Sequence, residues 1–192
     1  MPGSSWGRSS QGYWRSKTII MTNKPTVIIT HHTGGTDAQP LANSSYATVA
    51  DIDLWHKLRW PGFTSRAGYH VGYHYVIEKD GKLTQTREHD EEGAHCIGMN
   101  LSSIGVCFSG NFDLTTPTLE QMQTWYTLYR KLDKEFPNIP VRPHRAYARK
   151  TCHGTNLPDN YFMVKYQEWT IGERIKQLRS QLKAILTRRR MR

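Results

Sequence analysis

"YHVGYHYVIEKDGKLTQTRE", residues 69–88, carries the clearest local signal in the chain. Two segments that alternate polar and apolar side chains flank Asp80-Gly81, a dipeptide suited to a tight reversal, so the stretch reads as a β-hairpin. Downstream, "SSIGVCFSG" (102–110) is nearly continuous in apolar residues, the pattern of a central strand. Upstream, "SYATVADIDLWHKLRW" (45–60) spaces Val49, Ile52 and Trp55 along one helical face. Thr48-x-x-Asp51 forms a capping box at its start, and Pro61-Gly62 stops it. Further out, "TVIITHHT" (26–33) is a β-branched run that reads as a buried strand presenting His31 and His32 at its C-terminal end. On the other side, Met122, Trp125, Tyr129, Leu132 and Phe136 mark a helix over 118–136, capped by Thr118-x-x-Gln121 and ended by Pro137. "IPVRPH" (139–144) is a short strand leading to His144. The order strand, helix, hairpin, strand, helix, strand predicts an α/β fold with a central mixed β-sheet flanked by α-helices. Cys107 falls within the apolar run and reads as core.

The totals agree with one domain. The chain has 192 residues, 37% of them hydrophobic, with abundant aromatics, enough for a core with polar extensions. There is no internal repeat and no apolar run of membrane-spanning length. The N-terminus lacks the apolar segment of a secretory signal, so synthesis in the cytoplasm is expected. Three cysteines, an odd count without a signal, argue against a disulfide framework. The net charge of +10 is uneven: residues 1–24 carry four Lys/Arg and no acid, and residues 165–192 carry nine against two Glu. That leaves 13 Lys/Arg and 14 Asp/Glu for residues 25–164. The body is about neutral and no nucleic-acid partner is expected; the two ends are the basic parts. Domain limits follow: a basic extension over 1–25, a near-neutral body over 26–168 and a basic amphipathic C-terminal helix over 169–192.

"HRAYARKTCHG", residues 144–154, concentrates the chemistry. An imidazole and a thiolate are good ligands for Zn²⁺, which takes four tetrahedral N, S or O donors. The eight-residue separation of His144 and Cys152 suits a loop that folds back. A third ligand must come from elsewhere, and His31 at its strand end is the best placed; His153 beside Cys152 is a rival. Three protein ligands leave one position for water, the catalytic arrangement. The plainer reading, a surface histidine and a buried thiol, stays open on spacing alone.

"IITHHT", "GYHYVIEKDGKL", "EGAH....N..SIGVCFSGNF" and "HR.....KTC" appear in this order. Together they resemble the zinc-dependent N-acetylmuramoyl-L-alanine amidases, the family of phage amidase endolysins and peptidoglycan recognition proteins, over roughly residues 26–168. The resemblance implies one zinc per chain, held by His31, His144 and Cys152, with Tyr73 and Lys150 assisting catalysis. It implies that His32, His95 and Asn100 border the substrate groove; His95 and Asn100 read equally well as surface or turn residues, and Tyr73 as a core aromatic. The family's usual "HRDVSPKTCPG" has here lost its Asp and both prolines while keeping the ligand spacing. Trp55-His56 matches a pair found in phage members, although Trp55 on an apolar helix face reads as core.

The implied reaction is hydrolysis of the amide joining the lactyl group of N-acetylmuramic acid to L-alanine in peptidoglycan. Zinc can polarise the carbonyl and acidify water, and an ammonium and a phenol can stabilise the oxyanion. No carboxylate in these motifs is an evident general base; Tyr73 is one candidate for moving the proton. The expectation is a monomeric phage or prophage endolysin, released to the wall by a holin. The alternatives are a cytoplasmic muropeptide-recycling amidase and a non-catalytic peptidoglycan receptor, which typically lacks the Cys ligand. In the C-terminal segment Ile171, Ile175, Leu178, Leu182 and Ile185 recur at helical spacing among Lys and Arg. That stripe either packs on the domain or meets an anionic membrane, lipopolysaccharide or wall polymer.

Overall fold

The computed structural model describes residues 22–34 and 46–190. The N-terminal extension expected over 1–25 therefore lies almost wholly outside the described residues. The strands are β1 (Val27–His32), β2 (Tyr75–Ile77), β3 (Leu83–Gln85), β4 (Ser103–Phe108) and β5 (Val141–Pro143); the helices are α1 (Val49–Arg59), α2 (Leu119–Glu135) and α3 (Tyr161–Arg190). The sheet runs β3-β2-β4-β1-β5. β1 is parallel to both β4 and β5, β2 is parallel to β4, and β3 closes one edge as the antiparallel arm of the hairpin. This is the mixed sheet the sequence predicts.

Both faces of the sheet are covered, which is why every residue of β1 and β4 is buried. On one face Ile28, Ile104, Val106 and Phe108 pack with Met122, Trp125, Leu128 and Leu132 of α2 and with Phe162 of α3. On the other, Val76 and Cys107 pack with Val49 and Ile52 of α1, and Val27 and Ile29 pack with Cys96. Strand side chains alternate between faces. His31 therefore follows Val27 and Ile29 onto the α1 face, while Thr30 and His32 go to the α2 face.

Both capping boxes form. Gln121 does more than cap: its side-chain amide also donates to the carbonyls of Ser109 and Ile77, tying the start of α2 to the ends of β4 and β2. At the hairpin tip Gly81 has φ 84°, a conformation that glycine adopts without Cβ strain, and its N–H donates to Glu78 O. The strands are only three residues each, because residues 69–74 leave the ladder. Gly72 instead exchanges hydrogen bonds with His56 Nδ1 and the Ala94 N–H, which carries Tyr73 toward the α1 side of the sheet.

One expectation needs correction, and one open alternative is decided. Trp55 is 50% exposed, not core. At 100° per residue the inward face set by Val49 and Ile52 continues to His56, leaving Trp55 on the flank. The C-terminal stripe does not pack on the domain either. α3 is one helix that runs unbroken across residues 168 and 169. Its first turns are anchored by Phe162, stacked on Phe108 at 4.4 Å, and by Trp169, stacked on Tyr126 at 5.2 Å. Beyond them residues 173–187 are all exposed. Among the described residues no helix is long and apolar enough to cross a membrane.

Candidate active site

β1 and β5 end side by side, and their parallel pairing brings the chain segments that follow them together. His31 is the fifth residue of β1; His144 opens a 3-10 turn directly after β5. Their rings lie 4.5 Å apart, centroid to centroid. The loop after that turn brings Cys152 back, its Sγ 3.7 Å from His31 Nδ1. One ligand atom from each of His31, His144 and Cys152 lies within 4.8 Å of the others. Two donors sharing a tetrahedral zinc stand roughly 3.3–3.7 Å apart, so the His31–Cys152 separation already has the right span.

The electrostatics suit a cation. Burial holds His31 well below its ordinary pKa, with His95 and His144 adding to the effect. Burial, then the Lys150 charge, lowers His144 to about 4. Both imidazoles are neutral near pH 7 and keep a lone pair for a metal. Burial pushes the Cys152 thiol up to about 12, against the His32 N–H, which donates to its sulfur at 3.4 Å. A buried thiolate here needs a compensating cation, which a divalent metal provides. Two neutral nitrogens and a sulfur are a donor set that fits zinc.

Strand parity separates His31 from His32. His32 Nδ1 accepts the Phe112 N–H at 2.9 Å on the far side of β1, although its ring still reaches the cleft wall. His153 is no rival ligand: it is fully buried, with Nδ1 2.5 Å from Thr30 Oγ1 and its ring edge-on to Phe162. His95, expected to border the groove, lies against His31, with Nδ1 3.0 Å from His31 Nε2. That bond turns His31 Nδ1 toward Cys152. Room for the His95 ring comes from Gly105 in β4, where a Cβ would fall 2.6 Å from His95 Cδ2. Asn100 fixes the same loop: its Oδ1 accepts the N–H groups of His95 and Cys96 at 3.0 and 2.9 Å.

The loop between His144 and Cys152 is held without the missing Asp and prolines. The Arg145 N–H donates to Cys152 O at 2.6 Å. Its guanidinium donates to the carbonyls of Gly154 and Leu157, both at 2.6 Å, and pairs with Asp159. Sequence reading missed this role, because an arginine next to a ligand gives no pattern until its carbonyl partners are known.

His31, His144, Cys152, His95 and Asn100 line a cleft of about 870 Å³ that also includes Tyr73, Lys150, His56 and Trp60. The Tyr73 ring stands 5.0 Å from that of His31 and 5.5 Å from that of His56. Burial, followed by the Cys107 and Cys152 thiols, raises the Tyr73 pKa well above its ordinary value, so it stays a phenol and a hydrogen-bond donor. His56 is a cleft residue that its helix pattern concealed. Its Nδ1 accepts the Gly72 N–H at 2.8 Å, which leaves Nε2 as the N–H of the neutral ring.

The sequence family described as N-acetylmuramoyl-L-alanine amidase matches residues 21–155. The endolysin of Escherichia phage T7 is 33% identical over 116 residues, 57% of this chain and 71% of that protein. Peptidoglycan-recognition protein SC2 of Drosophila melanogaster is 27% identical over 159 residues, 80% of this chain and 79% of that one. Among solved structures, the endolysin amidase LysCS from Clostridium intestinale superposes with a TM-score of 0.61 at 26% identity, covering 77% of this chain and 85% of that chain.

Proposed function

The chain belongs to the N-acetylmuramoyl-L-alanine amidase family, and on that premise we propose that it hydrolyses the amide between N-acetylmuramic acid and L-alanine in peptidoglycan with zinc held by His31, His144 and Cys152. The observation that carries this reading is the convergence of those three ligand atoms within 4.8 Å, from segments more than 100 residues apart in sequence. A bound zinc ion would supply a Lewis acid for the amide carbonyl and lower the pKa of a water molecule to about 7.

The chain's own groups take the remaining parts. His95 keeps the His31 ring in place, and Arg145 keeps Cys152 beside it. Tyr73 offers a phenolic O–H and Lys150 an ammonium at the cleft, donors suited to the negative charge that develops on the carbonyl oxygen. The open cleft has room for a sugar with the first residues of its stem peptide. Endolysin relatives support action on the cell wall after release from the cytoplasm. The positive charge at both ends supports recruitment to an anionic envelope. The receptor alternative is disfavoured because this chain retains the sulfur ligand, Cys152.

The test combines metal analysis with product analysis on purified peptidoglycan. One zinc per chain, new L-alanine amino groups and loss of both activity and metal in Cys152→Ala are expected. Tyr73→Phe should keep the metal and lower kcat by about 10²–10³-fold, the usual effect of removing one oxyanion donor. Activity that survives a chelator, or new reducing sugar ends in place of amino groups, would refute the assignment.

A further inference from the structure

α3 has a use that the cleft does not explain. After Trp169 docks on Tyr126, residues 171–187 project from the domain for roughly 25 Å. Their large aliphatic residues are exposed, Leu178 at 48% and Leu182 at 57%. At 100° per residue Ile171, Ile175, Leu178, Leu182, Ile185 and Leu186 fall in an arc of about 100°. Arg179 and Lys183 border one side of that arc and Arg174 the other, while Glu173 lies on the opposite face, paired with Lys176. Contiguous exposed aliphatic surface of this kind marks an interaction site.

We propose that residues 171–187 form a membrane-surface helix that lays its aliphatic stripe into the headgroup region of an anionic phospholipid bilayer. Three other occupants compete with lipid for the stripe, and charge and apolarity separate them. A second copy is the first, because the 4, 3, 4, 3 spacing is also that of a coiled-coil seam. In a parallel pair, however, Arg174 of one copy would face Arg179 of the other, cation against cation. The chain's own first 24 residues carry four cations and no acid, so they offer no complement either. A hydrophilic wall polymer can meet the cations but has no apolar layer for six Ile and Leu side chains. A lipid surface with phosphate headgroups satisfies both, with the cations at the phosphates and the stripe among the upper acyl carbons. Burying the stripe in lipid leaves the cleft unblocked, because α3 packs against α2 whereas the cleft lies at the ends of β1 and β5.

The test is flotation of the full chain with phosphatidylglycerol vesicles and, separately, with phosphatidylcholine vesicles. Binding to phosphatidylglycerol that weakens with salt is expected. The double variant Leu178→Gln/Leu182→Gln should bind about tenfold more weakly or worse, with hydrolysis of a soluble muramyl peptide unchanged. The proposal does not rest on the metal, so a failed amidase assay leaves it testable. Equal binding to both lipids, equal binding of variant and parent, or a dimer of the parent that the variant dissolves would each overturn it.

Discussion

At the scale of single residues, the site depends on a side chain that is absent. Gly105 sits in the most enclosed strand of the sheet, where a larger residue would ordinarily pack well. With only a hydrogen where a Cβ would stand, it leaves the space that the His95 ring fills, and His95 in turn holds His31 through a hydrogen bond. Gly105→Ala is therefore expected to weaken zinc binding about 10–100-fold, the range seen when a group behind a ligand is lost. Competition with a chromophoric chelator measures the affinity, and circular dichroism should show the fold retained. Unchanged affinity would mean that His95 does not orient its neighbour.

At the scale of elements, α3 is two helices in one. Its first turns are core: Phe162 is fully buried between Phe108 and Trp125, and the Trp125 indole N–H donates to Phe162 O at 3.1 Å. Its later turns touch nothing among the described residues that would bury the stripe. Phe162→Ala is expected to cost about 3–5 kcal/mol in urea unfolding, whereas Leu178→Ala should stay within about 0.5 kcal/mol. Comparable losses at both positions would place the stripe against the domain. The same division bears on the limits expected at residues 168 and 169. Composition changes there, but the backbone hydrogen bonding of the helix does not.

At the scale of the whole molecule, several histidines are buried as neutral rings, and acid is the natural stress. His74 illustrates the sign. Burial, against the hydrogen bond to Glu91 O, lowers its pKa from 6.5 to about 4. Its Nδ1 accepts the Gly105 N–H at 3.0 Å, a position a second proton would have to take. Between those two pKa values the unfolded chain binds a proton that the folded chain refuses. The contribution of His74 is thus intact above pH 6.5 and is lost as pH falls toward 4, by up to about 1.4 kcal/mol per pH unit. Urea unfolding at a series of pH values should show His74→Gln less stable at pH 7 but with a shallower decline in acid. An undiminished slope in that variant would assign the acid sensitivity elsewhere.

The elements were legible because each is written in short-range pattern. The run of residues 26–33, the Asp80-Gly81 reversal and the two capping boxes act over a few residues, and all appear in the structure. The grouping of His31, His144 and Cys152 was legible only through the resemblance of four ordered motifs, since spacing alone left the plainer reading of a surface histidine and a buried thiol standing. Tertiary structure decided the rest. The alternation of β1 put His31 and not His32 beside His144 and Cys152, the inward arc of α1 presented His56 in place of Trp55, and Arg145 holds the loop that lacks the prolines. Each of these depends on which face or carbonyl a side chain meets across more than a few residues of chain. A sequence read along its length fixes local conformation, but only the packed sheet brings residues 31, 144 and 152 to one point.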